Sequence, residues 1–240
     1  MDKHLARQVV EIGRALYEKG LVAGAEGNIS VRLSADTILI TPSGKHKGAL
    51  AEEDLVVIDL SGNVLAGRHR PSSEAQLHLA IYRQREDVGA VVHAHPPTAT
   101  AFTVAGLSML DPVLPEIVVT LGGVPTVPFA VPGTAALADA IRPYLDDFDA
   151  LLLENHGAVT MGPDLESAHQ KMESLEMAAR IRWMARMLGG ERQLTRDEVA
   201  ALLAARAYVP ATSGRHPGTK LLKWLEDQKE SCKPAHSDRK

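Results

Sequence analysis

The chain has one cysteine, Cys232, in 240 residues, so it cannot close a disulfide on itself. That usage points to a reducing compartment. Long apolar runs are also missing; none approaches the ~20 residues that cross a bilayer. The start, Met1-Asp2-Lys3-His4, lacks the apolar core and cleavage site of a signal peptide. The cytoplasm is therefore the expected location, with no membrane partner. There is no excess of basic residues either: 26 Lys and Arg stand against 30 Asp and Glu, a net charge of -4. Without a basic stripe, nucleic acid is not an expected partner, although a local pocket could still hold a small anion. No Gly-x-x-x-x-Gly-Lys loop, Gly-x-Gly-x-x-Gly fingerprint or Gly-x-Ser-x-Gly elbow occurs. NTPase, nucleotide-dehydrogenase and serine-hydrolase readings thus lose their usual support. Internal repeats are absent.

What remains is an ordinary globular mixture, 45% hydrophobic and 23% charged, long enough to bury a full core. Leu5, Val9, Ile12 and Leu16 recur at helical spacing in 3–19, and Gly20 stops that helix. Gly24 and Gly27 bracket a loop that runs into Asn28-Ile29-Ser30-Val31-Arg32. Strands are predicted at 38–40, 56–60, 89–95, 124–127 and 150–153, with a hairpin turn at 61–63. Helices are predicted at 71–83, 98–105, 134–145 and 165–188. Another, capped by Thr195 and Glu198, runs through about 207. A short helix is read at 221–225 in an otherwise polar tail. The mixture predicts a single α/β domain over 1–212, with helices covering a sheet, followed by a tail over 213–240.

The chemistry concentrates in Val91-Val92-His93-Ala94-His95-Pro96. Residues two apart on a strand share a face, so His93 and His95 project together, near a sheet edge, while Ala90, Val92 and Ala94 pack the other way. A second apolar strand, Leu151-Leu152-Leu153, runs into Glu154-Asn155-His156-Gly157, where Gly157 permits a sharp turn or a close backbone approach. One histidine on a strand is more often structural than ligating. Three neutral imidazoles with an open fourth position would make a catalytic zinc site, and other first-row metals, manganese and cobalt among them, also accept imidazole. Glu74, in the first turn of the 71–83 helix, reads either as a carboxylate favouring the helix dipole or as a base beside the metal. His78 lies four residues on, on the same face. It reads as a packed partner, with a second metal pair as the alternative. Asn28, Ser43, Gly44, Ser72 and Ser73 occupy turns and a helix start of the kind that hold anions.

Five segments in order are similar to those of the class II aldolase and adducin head family. They are Gly27–Arg32, Ile40–Gly44, Pro71–Glu74, Val91–His95 and Asn155–Gly157. The resemblance implies a single-domain three-layer α/β/α sandwich around a mostly antiparallel central sheet, assembled as a homotetramer with sites between subunits. It implies zinc on His93, His95 and His156, Glu74 as the acid/base, and a substrate phosphate held by Asn28, Ser43, Gly44, Ser72 and Ser73. The expected reaction cleaves a ketose 1-phosphate of the fuculose, 5-deoxyribulose or 5-methylthioribulose type to dihydroxyacetone phosphate and an aldehyde. Two catalytic positions depart from or blur the pattern. Glu116 stands where the aldolase carries a tyrosine proton donor, and Tyr208 lies near its C-terminal tyrosine. The nearest alternative, a sugar-phosphate 4-epimerase, would carry an aspartate in the segment after His95, and from Thr98 to Gly123 the only one is Asp111. Glu116 also keeps dehydratase and decarboxylase chemistry open. A non-catalytic adducin-like module would be expected to have lost the metal ligands, and all three are present.

Overall fold

The computed structural model describes residues 2–205 and 221–223. Asp2 caps the first helix, α1 (Lys3–Glu18), accepting from the backbone N–H groups of His4 and Leu5. Two strands follow, β1 (Asn28–Arg32) and β2 (Thr37–Ile40), then β3 (Val56–Asp59) and β4 (Val64–Ala66). The middle of the chain forms α2 (Ala75–Gln84), β5 (Ala90–Ala94), α3 (Pro97–Val104), α4 (Pro115–Thr120), β6 (Thr126–Val127) and α5 (Ala135–Leu145). It continues through β7 (Ala150–Leu153), β8 (Gly157–Gly162), α6 (Leu165–Met187) and α7 (Arg196–Ala204).

The strands form one sheet in the order β4-β3-β2-β1-β5-β8-β7-β6. Among the described residues only the β6–β7 pair is parallel. The sheet separates two cores. On one face Val9, Val31, Val92 and Leu152 pack with Phe102, Met172 and Leu175 of α3 and α6. On the other, Ile38, Val91, Leu151 and Val159 pack with Leu79 of α2 and Ile141 of α5. This is the expected three-layer sandwich around a mostly antiparallel sheet. Burial on both faces explains the continuous apolar runs of β5 and β7, and each fully buried Leu, Ile or Val contributes about 1.5–3 kcal/mol over leaving it exposed. No described helix is long and apolar enough to cross a membrane.

Several expectations need correction. The loop between Gly24 and Gly27 is present, but the segment it runs into, 28–32, given no element in the sequence reading, is a strand that pairs with β5 so that Asn28 lies opposite His93. The segment from Gly157, given no strand in the sequence reading, forms β8. The helix predicted from Pro71 begins at Ala75, because 71–74 form a turn bridged to the Thr41-Pro42 segment. The strand expected at 124–127 narrows to two residues, with Val124 bridging Met109. The His93/His95 pair does not sit near a sheet edge. β5 is a central strand, and the pair stands at its C-terminal end. The stretch after Ala205, including Tyr208, and most of the 213–240 tail lie outside the described residues; 221–223 are helical.

Candidate active site and metal centre

Period-two geometry places His93 and His95 on one face at the end of β5, and the β7–β8 turn brings in the third histidine. That turn is tight. Asn155 takes a left-handed conformation (φ 53°), and Gly157 admits the close approach of β5: a Cβ there would lie 2.6 Å from both the Ala94 carbonyl oxygen and His95 Cδ2. Gly27 has a parallel role before β1, with φ +69° and a built Cβ 2.6 Å from the His93 carbonyl oxygen.

One ligand atom from each of His93, His95 and His156 lies within 4.8 Å of the others, so the group could hold a metal ion. The Nε2 atoms of His93 and His95 are 3.3 Å apart. His93 Nδ1–H donates to the Ala158 carbonyl at 2.9 Å, which leaves the Nε2 lone pair facing the cluster. Burial, with the neighbouring His93 and His156 charges, pushes the His95 imidazole down to about 4 against the pull of Glu74 and Glu26. Burial and His93 likewise lower His156. Both are therefore neutral, the form that binds metal, near neutral pH.

Glu74 does not cap α2: as N-cap residue its side chain makes no capping hydrogen bond. The carboxylate turns into the cluster, with Oε2 3.2 Å from His93 Nε2 and Oε1 3.4 Å from His156 Nε2. Burial opposes ionisation, but the His93 contact, the Asn28 amide and His156 outweigh it and hold the carboxyl well below the usual carboxylate range. Oε1 is buried with no hydrogen-bond donor among the described residues. Three imidazole nitrogens and an unpartnered carboxylate oxygen facing one point form a donor set that fits a divalent cation.

The anion-type turns are neighbours in space. Thr41 N–H donates to the Ile29 carbonyl, Ser72 N–H to the Thr41 carbonyl and Ser43 N–H to the Arg70 carbonyl. Asn28, Ser43, Gly44, Ser72 and Ser73 thus lie on adjacent segments. Asn28 and Ser72 are buried, and Ser43, Gly44 and Ser73 are exposed. Glu116 is exposed in the first turn of α4 and makes no hydrogen bond or ion pair with the cluster among the described residues.

Lys47 escaped the sequence reading. It is 1% exposed, and its ammonium donates to the Ala25 and Lys45 carbonyls at 2.8 Å each. Burial lowers its pKa to about 8 against the pull of Glu26 and Glu74. Nothing in Lys45-His46-Lys47 as a sequence marks this burial. His78 is the packed partner expected of it and belongs to no second metal pair; Ser30 and Asn28 take both its ring nitrogens.

A three-layer sandwich with a histidine cluster and a carboxylate at the end of its central strands is the build of a metal-dependent lyase. The chain belongs to the family described as class II aldolase and adducin N-terminal domain, whose model matches residues 7–183. Class II aldolases are metal dependent, and the chain is accordingly an aldehyde-lyase by class. It is 36% identical over 207 residues to 3-oxo-tetronate 4-phosphate decarboxylase of Pectobacterium atrosepticum, covering 84% of this chain and 93% of that protein. It is 34% identical over 197 residues to 5-deoxy-D-ribulose 1-phosphate aldolase of Bacillus thuringiensis, covering 81% and 92%. Among solved structures, an L-fuculose 1-phosphate aldolase superposes with a TM-score of 0.79 at 30% identity, covering 84% of this chain and 95% of that one.

Proposed function

We propose that the chain is a zinc-dependent aldolase that cleaves a ketose 1-phosphate, of the fuculose, 5-deoxyribulose or 5-methylthioribulose type, to dihydroxyacetone phosphate and an aldehyde. The observation that carries this reading is the placement of the Glu74 carboxylate among three converging imidazole nitrogens. His93, His95 and His156 would hold the ion, with manganese or cobalt as substitutes for zinc. When bound, the ion supplies Lewis-acid stabilisation of negative charge on the substrate's ketone and adjacent oxygens. In cleavage the C3–C4 bond breaks, its electron pair passes to C3 and the ketone oxygen, and the C4 hydroxyl gives up its proton. Glu74 takes up a proton from solvent on the Oε1 oxygen that no protein hydrogen-bond donor holds and delivers it to C3, while the proton released from the C4 hydroxyl passes to solvent. Asn28, Ser43, Gly44, Ser72 and Ser73 bind the phosphate and so place C3 against Glu74. Exposed on α4, Glu116 takes the C4 hydroxyl proton in a neighbouring subunit's site, in a cytoplasmic homotetramer whose sites lie between subunits. Tyr208 shares that step, and within the 213–240 tail Leu221 packs into the core of the catalytic domain.

A second reading is supported by the decarboxylase-named relative. In a 3-oxo-tetronate 4-phosphate the carboxyl lies β to the ketone, so loss of carbon dioxide leaves the same three-carbon enediolate. That route needs no base for a C4 hydroxyl, and Glu116 would be idle. The step common to both is proton transfer at the dihydroxyacetone phosphate carbon. It is followed by hydrogen–deuterium exchange of dihydroxyacetone phosphate in heavy water. The wild type should exchange, and Glu74→Gln should keep its fold and metal while exchanging about 100- to 10,000-fold more slowly. Exchange by Glu74→Gln at the wild-type rate would remove Glu74 from the role.

A further inference from the structure

The geometry points to His78 as a positioning residue for Glu74, acting through Asn28, and to Glu74 Oε1 as the oxygen thereby reserved for proton transfer. This inference rests on the reading of Glu74 as the proton carrier. His78 lies one helical turn beyond Glu74 and is fully buried. Its Nδ1 is 2.6 Å from Ser30 Oγ, which is 2.9 Å from the Tyr82 hydroxyl. Its Nε2 meets Asn28 Oδ1, and Asn28 Nδ2 donates to Glu74 Oε2 at 2.9 Å.

The direction of this chain follows from one end. An ionised carboxylate only accepts, so the Asn28 atom against it is the amide nitrogen. Asn28 Oδ1 then faces His78 Nε2, which must carry the hydrogen. Nδ1 is bare and accepts from the Ser30 hydroxyl, whose oxygen in turn accepts from Tyr82 O–H. Every donor along the path points toward Glu74. Burial pushes the His78 imidazole down to about 3, aided by His93 and opposed by Glu74. It also raises the Tyr82 phenol. Both stay neutral near neutral pH, so the direction is fixed.

The chain settles which face of the Asn28 amide meets the carboxylate. Flipped, Asn28 would aim its oxygen at Glu74 and repel it. Held by His78, it occupies Oε2 and leaves Oε1, which sits 3.4 Å from His156 Nε2, as the oxygen open to a proton. His78 makes no hydrogen bond to the three cluster histidines among the described residues, so its influence runs through Asn28.

The test uses two substitutions of different reach. His78→Gln keeps an amide N–H where Nε2 lies. His78→Asn is too short to reach Asn28. His78→Asn should lose about 10- to 100-fold in kcat with KM and bound metal unchanged, while His78→Gln keeps most of the activity. In a Glu74→Gln background, His78→Asn should cost nothing further. Nitrogen-15 NMR of the unmodified protein should find His78 in the Nε2–H form at neutral pH, and this readout needs no variant to fold. An Nδ1–H tautomer, or equal losses in both His78 variants that add to the Glu74→Gln loss, would overturn the positioning role alone. Wild-type turnover in Glu74→Gln by itself would sink the reading of Glu74 and this role with it.

Discussion

Replacing Gly157 by alanine tests whether the β7–β8 turn sets the metal centre. The new Cβ would lie 2.6 Å from the Ala94 carbonyl oxygen and 2.6 Å from His95 Cδ2. Ordinary contact begins at 3.4 Å, so one side must move by about 0.8 Å. The carbonyl is poorly placed to yield. Ala94 is paired in register with Ala158, and the next backbone N–H, that of His95, is bonded to Leu21. The His95 ring is the softer partner, and Cδ2 is bonded directly to Nε2, so the ligand nitrogen moves with it. Metal–ligand distances tolerate only about 0.2 Å. Metal affinity should therefore fall about 10- to 100-fold. Overpacking should also cost about 1–3 kcal/mol, which at about 2–4 °C per kcal/mol for a chain of this size is visible in a melt. Competition against a chromogenic chelator and thermal melts with and without metal would measure both effects. Wild-type affinity and an unchanged melting temperature would refute the argument that the glycine is there to admit the His95 ring.

Three other outcomes are expected. His93→Ala should purify with little bound metal, since it removes the central ligand and its Ala158 hydrogen bond; metal analysis at wild-type stoichiometry would contradict the ligand set. Glu116→Ala should slow C–C cleavage at least about tenfold while sparing deuterium exchange at dihydroxyacetone phosphate, because the loss falls on the C4 hydroxyl step. Equal loss of both activities would place Glu116 elsewhere. For Lys47 the sign follows from its folded-state pKa of about 8, below the ordinary lysine value of 10.5. Between those values the unfolded chain holds the extra proton, so the wild type gains stability as pH rises from about 8 toward 10. Urea melts should see the stability difference between wild type and Lys47→Met shift toward the wild type over that range; a flat difference would mean that the burial of Lys47 carries no proton linkage.

How much was legible from residues alone depended on which way each side chain points. His93, His95 and His156 could be found because apolar strands present them: period-two spacing forces the first pair together, and the run 151–153 delivers the third. β1 was missed for the opposite reason. Ile29 and Val31 are its only apolar positions, and Asn28 and Ser30 between them are buried polar groups that serve Glu74 and His78, so five residues behind a Gly-bracketed loop offer no apolar run to mark a strand. β8 is buried at every position and bounded by glycines, which hides its period. Glu74 looked like a helix cap because Pro71-Ser72-Ser73 resembles a helix start. Ser72 Oγ instead accepts the Glu74 N–H, and the carboxylate turns to the histidines. Lys47 is indistinguishable in sequence from a surface lysine, because the carbonyls that receive it belong to a loop 22 residues earlier and to its own turn.

The most direct measurement of the central claim is release of dihydroxyacetone phosphate from fuculose, 5-deoxyribulose and 5-methylthioribulose 1-phosphates and from 3-oxo-tetronate 4-phosphate, each with and without a chelator. The account predicts chelator-sensitive release from at least one ketose 1-phosphate, with a stoichiometric aldehyde. Release from the 3-oxo acid alone, with carbon dioxide and no aldehyde, would replace the aldolase reading by the decarboxylase. No release from any of them by the metal-loaded protein would contradict both.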